Sequence, residues 1–173
     1  TVVGLRRTVF NYNPIGRIVS ISVTNLSSVG VANQTHTTTF SYTDYGTSSG
    51  GVLSPGMVAT VTVDGPVAGS QDQTTVAYDA LGNLTSEYNT LGHTRIYSGH
   101  NGLGLPARVT GVNGDITDYT YDARGRTTRV RTYPDGSTPA DTTYVYAGNG
   151  TLTSVTAPDG TMTSFTYDAG LRL

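Results

Sequence analysis

The feature that most constrains this chain is a short motif in which a glycine follows a tyrosine four residues later. The clearest copy is Tyr121-Asp122-Ala123-Arg124-Gly125. Four copies of the motif begin at Tyr12, Tyr78, Tyr121 and Tyr146 and carry Gly16, Gly82, Gly125 and Gly150. Asp79 and Asp122 stand directly after their tyrosines. Self-similarity of this kind is typical of a repeat architecture.

Each copy of the motif is typical of a tight connection between two antiparallel strands. An Asp or Asn after the strand accepts hydrogen bonds from backbone amides two residues further on. The glycine supplies the positive φ that ends a type I turn in a bulge, so that two twisted strands meet without splaying. One copy alone would indicate only a surface turn, but four copies with the same spacing predict a series of hairpins.

The composition favours strands over helices. Thr, Tyr and Val are frequent, Glu occurs once at Glu87, and Lys is absent. Residues that favour strands therefore replace those that favour exposed helices. We predict an all-β fold, in which antiparallel hairpin repeats form one continuous twisted sheet.

A second set of glycines predicts the inner turns of these hairpins. These glycines are Gly92, Gly114, Gly136 and Gly160. Residues 107–112 and 116–121 flank Asn113-Gly114, the strongest short hairpin signal in the chain. Residues 151–156 and 161–167 flank Pro158-Asp159-Gly160, where proline presets φ and glycine takes the left-handed position. Residues 44–56 contain a Gly/Ser-rich run and are predicted to form an exposed loop.

The Tyr-Asp-x-x-Gly motif, followed by a strand and a second glycine turn, resembles the Rhs or YD-repeat family. The anchor tyrosines of the regular part are Tyr78, Tyr97, Tyr121, Tyr146 and Tyr167. Tyr12 and Tyr42 continue the series with wider gaps. We therefore expect regular repeats over residues 76–173 and degenerate or insertion-bearing repeats over residues 1–75. The whole is expected to be one array excised from a longer chain.

The resemblance also implies a function. In this family such sheets form a hollow β-shell that encloses a toxin or another C-terminal cargo domain in secreted bacterial proteins. The chain would be a section of the wall, secreted or at the cell surface, with neighbouring repeats and an enclosed polypeptide as its partners. Turn glycines and anchor tyrosines would then matter, and no enzyme activity is expected.

Aromatic residues also precede five of the anchor tyrosines by two positions. They are Phe10, Phe40, Tyr119, Tyr144 and Phe165. Since residues two apart on a strand share a face, they predict an aromatic stripe. The stripe is interpreted as a packing or lining face, because a tyrosine hydroxyl at the polar turn suits burial of the ring. The alternative is a platform for sugar rings in an extracellular carbohydrate-binding module.

No catalytic, cofactor or metal site is predicted. His36, His93 and His100 lack the spacing of a zinc protease, and the chain has no cysteine. Gly102-Leu103-Gly104 lacks the third glycine of a dinucleotide-binding loop, and the proline at position 106 prevents a following helix.

The charge pattern lacks the basic surface that is typical of nucleic-acid-binding proteins, so no nucleic-acid partner is expected. The net charge is −2 and the ten arginines form no basic stripe. The cluster Arg124, Arg126, Arg129 and Arg131 lies close in sequence to Asp118 and Asp122, which indicates a solvated strand surface. The chain also has no apolar run of the length that a membrane span needs.

Overall fold

The structure, a computed structural model, describes residues 5–27, 30–46 and 56–173. The described residues form thirteen β-strands and no helix. The strands belong to one antiparallel sheet whose order follows the chain from β1 to β13. The predicted all-β array of hairpins is therefore confirmed. Of the predicted loop over residues 44–56, residues 47–55 lie outside the described part.

The chain divides into two compact units, residues 1–94 and residues 95–173. The first unit contains β1 (Arg6–Tyr12), β2 (Ile18–Asn25), β3 (Thr35–Asp44), β4 (Val58–Asp64), β5 (Thr74–Tyr78) and β6 (Leu84–Asn89). β7 (Thr94–Ser98) begins at the division. The predicted change from degenerate to regular repeats at residue 76 stays a prediction.

The second unit continues with six further strands. They are β8 (Arg108–Thr110), β9 (Ile116–Tyr121), β10 (Thr127–Thr132), β11 (Ala140–Tyr146), β12 (Leu152–Thr156) and β13 (Met162–Ser164). From β8 onward the connections are residues 111–115, 122–126, 133–139, 147–151 and 157–161. Four of them therefore have five residues, and the connection between β10 and β11 has seven.

Two strands are shorter than the sequence predicts. β8 ends at Thr110 because Gly111 already belongs to the turn, where its amide donates to the carbonyl of Asp115 over 2.7 Å. β13 ends at Ser164, although the Phe165 amide still donates to the carbonyl of Thr153 over 2.9 Å. The predicted strand ends at Val112 and Tyr167 are therefore wrong.

The two faces of the sheet in the first unit differ in chemistry. On one face Phe40 lies opposite Val63 and Tyr42 opposite Val61. Hydroxyl side chains on the other face bond to one another across the strands: Ser22 to Thr37 over 2.9 Å, Thr24 to Thr35 over 2.8 Å and Thr62 to Thr75 over 2.8 Å. The alternation of apolar residues with Thr and Ser along the strands produces this division.

Within residues 5–27, 30–46 and 56–173, no second layer of secondary structure covers the sheet. Among the described residues no hydrophobic side chain is fully buried, and the buried polar residues are Thr24 and Thr75. Stability must therefore come from strand pairing, turn geometry and half-buried contacts between neighbouring strands. These contacts concentrate where each tyrosine meets a turn.

Candidate functional site

The turn after Tyr121 shows how the repeated motif is built. The Asp122 amide donates to the Arg126 carbonyl over 2.9 Å, and the Gly125 amide donates to the Asp122 carbonyl over 3.0 Å. The Asp122 carboxylate accepts the amides of Arg124 and Arg126 over 2.9 and 3.0 Å. Gly125 has a φ of +78°, in the left-handed region that favours glycine. The side chain and the backbone thus define the same turn.

Five other turns share this pair of amide bonds to one side-chain oxygen. The acceptors are Asn13, Asp79, Asn89, Asn101 and Asp168. In four of them a glycine with positive φ occupies the fourth position: Gly16, Gly82, Gly92 and Gly104. In the last turn Leu171 takes the left-handed position, with a φ of +60°. An Asx residue at the first position therefore occurs both in turns that follow an anchor tyrosine and in the predicted inner turn of Gly92.

The turn after Tyr146 forms without an Asp at its first position. The Ala147 amide donates to the Thr151 carbonyl over 2.8 Å, and the Gly150 amide donates to the Ala147 carbonyl over 2.9 Å. Gly150 has a φ of +99°. Asn149 Oδ1 accepts the Thr151 amide over 3.2 Å, so this turn combines backbone bonds, the glycine and an Asx side chain at its third position instead of its first.

The remaining predicted inner-turn glycines also lie in turns with positive φ. The values are +80° at Gly114, +79° at Gly136 and +84° at Gly160. Asp135, in the turn of Gly136, accepts the Ser137 amide over 2.9 Å. Hydrogen bonds from the side chain and amide of Thr138 lower the pKa of Asp135.

Anchor tyrosines reach back to the preceding repeat through their hydroxyl groups. Tyr42 donates to the Ile18 carbonyl over 2.8 Å, and Tyr146 donates to the Thr127 carbonyl over 3.0 Å. Tyr121 donates to the Pro106 carbonyl over 3.0 Å. Each acceptor directly follows an Asx turn, namely residues 13–17, 122–126 and 101–105. Each of these three tyrosines therefore bonds to the end of the turn in the preceding repeat.

Arginine strengthens two of these contacts. The Arg126 guanidinium lies 4.4 Å from the centre of the Tyr146 ring, and Arg17 lies 5.3 Å from the centre of the Tyr42 ring. Arg126 Nε also donates to Asp122 Oδ2 over 2.7 Å. That hydrogen bond is the main reason that the pKa of Asp122 lies below its ordinary value. The result is a carboxylate, a guanidinium and an aromatic ring in contact, the last contributed by the following repeat.

The other predicted anchors occupy varied surroundings. Tyr12 is exposed, whereas Tyr97 and Tyr167 are half-buried. Tyr78 lines a cavity of about 290 Å³ together with Met57, Val58, Val61 and Gly82. The lining of this cavity is mostly apolar and offers no convergent set of polar groups for a ligand.

The predicted aromatic stripe has aliphatic partners directly opposite its rings. Phe10 lies opposite Ile21, and Tyr119 lies opposite Val130. Tyr144 lies opposite Val155, as Phe40 does opposite Val63. Phe165 is half-buried, and the rings of Tyr119 and Tyr121 stack with their centres 6.3 Å apart. Each of these four rings thus faces a β-branched aliphatic residue on one neighbouring strand, and the role of the stripe stays a prediction.

Sequence reasoning missed two elements of the site. Asn101 forms a full Asx turn with Gly104, but His100 stands where the motif has tyrosine, so the pattern did not include it. Arg17 and Arg126, in the fifth turn position, contact the next tyrosine ring. The signal for the second was present, since both arginines directly follow the turn glycine.

The described residues contain no cluster of ligands for a metal. Specifically, they bring together no group of three or more His, Cys, Asp or Glu side chains that could hold an ion. Within the same residues, no helix has the length and hydropathy of a membrane span. The arginine cluster is matched by carboxylates, with Arg126 paired to Asp122 and Arg131 paired to Asp141.

Comparison with known proteins agrees with this geometry. The family model described as RHS Repeat matches residues 100–138 and 146–173. No curated protein sequence matches the chain.

Solved structures share the fold. The crystal structure of TcdB2-TccC3 without its hypervariable C-terminal region has a TM-score of 0.68 and 17% identity, over 97% of this chain and 9% of that one. The crystal structure of TcdB2-TccC3-Cdc42 has a TM-score of 0.67 and 17% identity, over 98% of this chain and 9% of that one.

A third structure comes from a named organism. The Photorhabdus luminescens Tc holotoxin pore with a TccC3 mutation has a TM-score of 0.62 and 18% identity, over 90% of this chain and 8% of that one. The chain thus spans less than a tenth of the length of the solved proteins that it matches. Residues 100–138 and 146–173 thus match the RHS Repeat family, and the Asx turns, the reaching tyrosines and the antiparallel strand order extend beyond them to the other described residues.

Proposed function

We propose that this segment is a section of a β-sheet shell that encloses a toxin or another C-terminal cargo domain of a secreted or cell-surface protein. The observation that carries the proposal is the contact of Tyr42, Tyr121 and Tyr146 with the preceding turn, because it joins consecutive repeats into a wall one layer thick. The similarity of the fold to the Tc proteins supports it. The mechanism is containment, in which the sheet separates an inner volume from bulk solvent.

Separation of two compartments requires the two faces of the sheet to meet different surroundings. Thr37 and Thr38 are adjacent on β3, and neighbouring strand residues point to opposite faces. Thr37 lies on the hydroxyl face and bonds to Ser22, while Thr38 lies on the face of Phe40 and Tyr42. The pair therefore offers one reporter on each face with the same native side chain.

The test uses cysteine labelling in the full-length protein that carries this segment. The segment has no cysteine, so Thr37→Cys and Thr38→Cys each introduce one thiol into it. With a bulky maleimide, we expect one variant to react rapidly and the other to react only after unfolding. The isolated segment is the control, since both positions should react there. Equal reaction of both variants in the folded full-length protein would contradict containment.

The carbohydrate-binding alternative is tested separately, and none of the contacts described above favours it. On a glycan array, a wall segment is expected to give no saturable signal. Saturable binding that is lost in Tyr144→Ala would instead support a carbohydrate-binding module and an exposed function for the aromatic stripe.

A further inference from the structure

Four charged side chains of alternating sign form one row across four strands of the second unit. Arg108 on β8 lies opposite Asp118 on β9, Asp118 lies opposite Arg131 on β10, and Arg131 lies opposite Asp141 on β11. We name these four residues the charge row. We propose that the charge row, through its pair Arg131 and Asp141, determines the register of β11 against β10, where neither the turn nor the apolar pattern specifies it. This inference is independent of the proposed containment function.

The geometry of the charge row is specific at both ends. Arg108 Nε and Nη2 donate to the two Asp118 oxygens over 2.6 and 2.9 Å. Arg131 Nε and Nη2 donate to the two Asp141 oxygens over 2.7 and 2.8 Å. Bidentate pairs of this kind fix direction as well as distance. The Tyr133 hydroxyl donates to Asp118 Oδ2 over 2.8 Å and ties the start of the β10–β11 connection to the row.

The Arg131–Asp141 end of the charge row lies at the connection that specifies register least. A five-residue Asx or glycine turn sets the pairing of the strands it joins. The β10–β11 connection has seven residues, 133–139, and its 2.9 Å bond from the Gly136 amide to the Tyr133 carbonyl closes only the first four.

The apolar pattern of β10 and β11 is also weak. β10 contains Thr127 and Thr128 in succession, and β11 contains Thr142 and Thr143. The β11 pair places a threonine on each face, and the register shift between Thr127 and Arg129 interrupts the alternation of β10. Register is poorly specified in strands that are polar on both faces. A charged pair directly across the strands supplies the missing information.

A competing register exists within the same strand. Arg129 lies two residues before Arg131 and points to the same face. In the native register Arg129 lies opposite Thr143, and its buried Nε has no hydrogen-bond partner among the described residues. A two-residue shift of β11 would place Asp141 opposite Arg129. Asp118 lies opposite Arg131 and accepts a hydrogen bond from Tyr133. These contacts favour Arg131 over Arg129 as the partner of Asp141 and therefore oppose the shift.

Disulfide trapping in the 173-residue chain reads the register directly, since the chain has no cysteine. Val130 lies opposite Thr142 on the face away from the charge row, so Val130→Cys with Thr142→Cys reports the native register. Val130→Cys with Ala140→Cys reports the shift toward Arg129. Directly opposite residues are close enough for a disulfide, and diagonal ones are too far apart.

We expect the native pair to form in the parent chain and the shifted pair to form little. Arg131→Thr should move the ratio of shifted to native disulfide by at least about tenfold, because Arg129 then remains the partner of Asp141. Arg129→Thr is the matched control, with the same substitution on the same strand and face, and should keep the native ratio. An unchanged ratio in folded Arg131→Thr would overturn the proposal.

A second variant covers the case in which Arg131→Thr fails to fold. Arg108→Asp, Asp118→Arg, Arg131→Asp and Asp141→Arg together invert every sign and keep the alternation. We expect this inverted row to fold and to form the native disulfide. Absence of the native disulfide in the inverted row would overturn the inference, because alternation of charge would then not determine the register.

Discussion

At the scale of single residues, the chain depends on a few backbone positions that only glycine fills without strain. A Cβ at Gly125 would lie 3.0 Å from Leu103 Cδ1 and 3.2 Å from Leu105 Cδ1, and φ is +78°. The conformation therefore strains any other residue, and the two leucine side chains would have to shift to make room for a Cβ. At Gly148 no atom lies within 4 Å of a Cβ, and φ is outside the left-handed region.

Gly125→Val is therefore expected to lower the free energy of unfolding by about 1–3 kcal/mol, as for other non-glycine residues forced into a left-handed conformation. Gly148→Ala is the control and should change it by less than about 0.5 kcal/mol. Urea unfolding followed by circular dichroism measures both. Equal effects of the two substitutions would contradict the assignment of Gly125.

Tyr146→Phe tests the contact between a tyrosine and the preceding turn. The substitution keeps the ring next to Arg126 but removes the 3.0 Å bond to the Thr127 carbonyl. We expect a loss of about 0.5–1.5 kcal/mol, the usual net contribution of one hydrogen bond. Tyr144→Phe is the control, since no hydrogen bond of the Tyr144 hydroxyl is among the described contacts. Similar losses in both variants in thermal unfolding would argue against the contact.

At the scale of turns and strands, much of the architecture could be predicted from sequence. The spacing from Tyr121 to Gly125 predicted both the turn and the positive φ, because few residues other than glycine adopt that conformation. The end of β8 could not be predicted from Asn113-Gly114, since the decisive bond runs from the Gly111 amide to the Asp115 carbonyl. Register across the seven-residue connection was also inaccessible, because it depends on pairs such as Arg131 and Asp141 that are distant in sequence.

The Asx position of the turn can be tested by adding one where it is absent. Ala147→Asp would place a carboxylate at the first position of the turn after Tyr146, where other repeats have Asp or Asn. We expect a gain of about 0.5–1.5 kcal/mol in unfolding free energy from the new amide bonds. Ala123→Asp, at the second position of the turn after Tyr121, should be close to neutral. A destabilised Ala147→Asp would show that the Asx side chain is not interchangeable between repeats.

At the scale of the whole molecule, ion pairs make the stability of the sheet depend on pH in the acid range. Hydrogen bonds from Arg108, Arg126 and Arg131 lower the pKa values of Asp118, Asp122 and Asp141 below the ordinary 3.8. Since the folded pKa lies below the unfolded one, the folded state binds protons less readily. The stabilisation is complete above the unfolded pKa and is lost as the pH falls through the folded one.

The melting temperature should therefore stay nearly constant from about pH 7 to about pH 5 and fall below about pH 4. Differential scanning calorimetry over this range measures the effect. The triple variant Asp118→Asn, Asp122→Asn and Asp141→Asn should have a lower melting temperature between about pH 5 and about pH 7, and a smaller decrease of the melting temperature at acid pH. A melting temperature that is constant to about pH 2 would contradict a contribution from these pairs.

The backward reach of the tyrosines gives the molecule a direction of assembly. The turn over residues 122–126 receives its last contacts from Tyr146, which leaves the ribosome later than the turn does. The turns over residues 13–17, 101–105 and 122–126 thus each gain a closing hydrogen bond only after the following repeat has been synthesised, so during translation they become fully bonded one repeat behind the growing end of the chain.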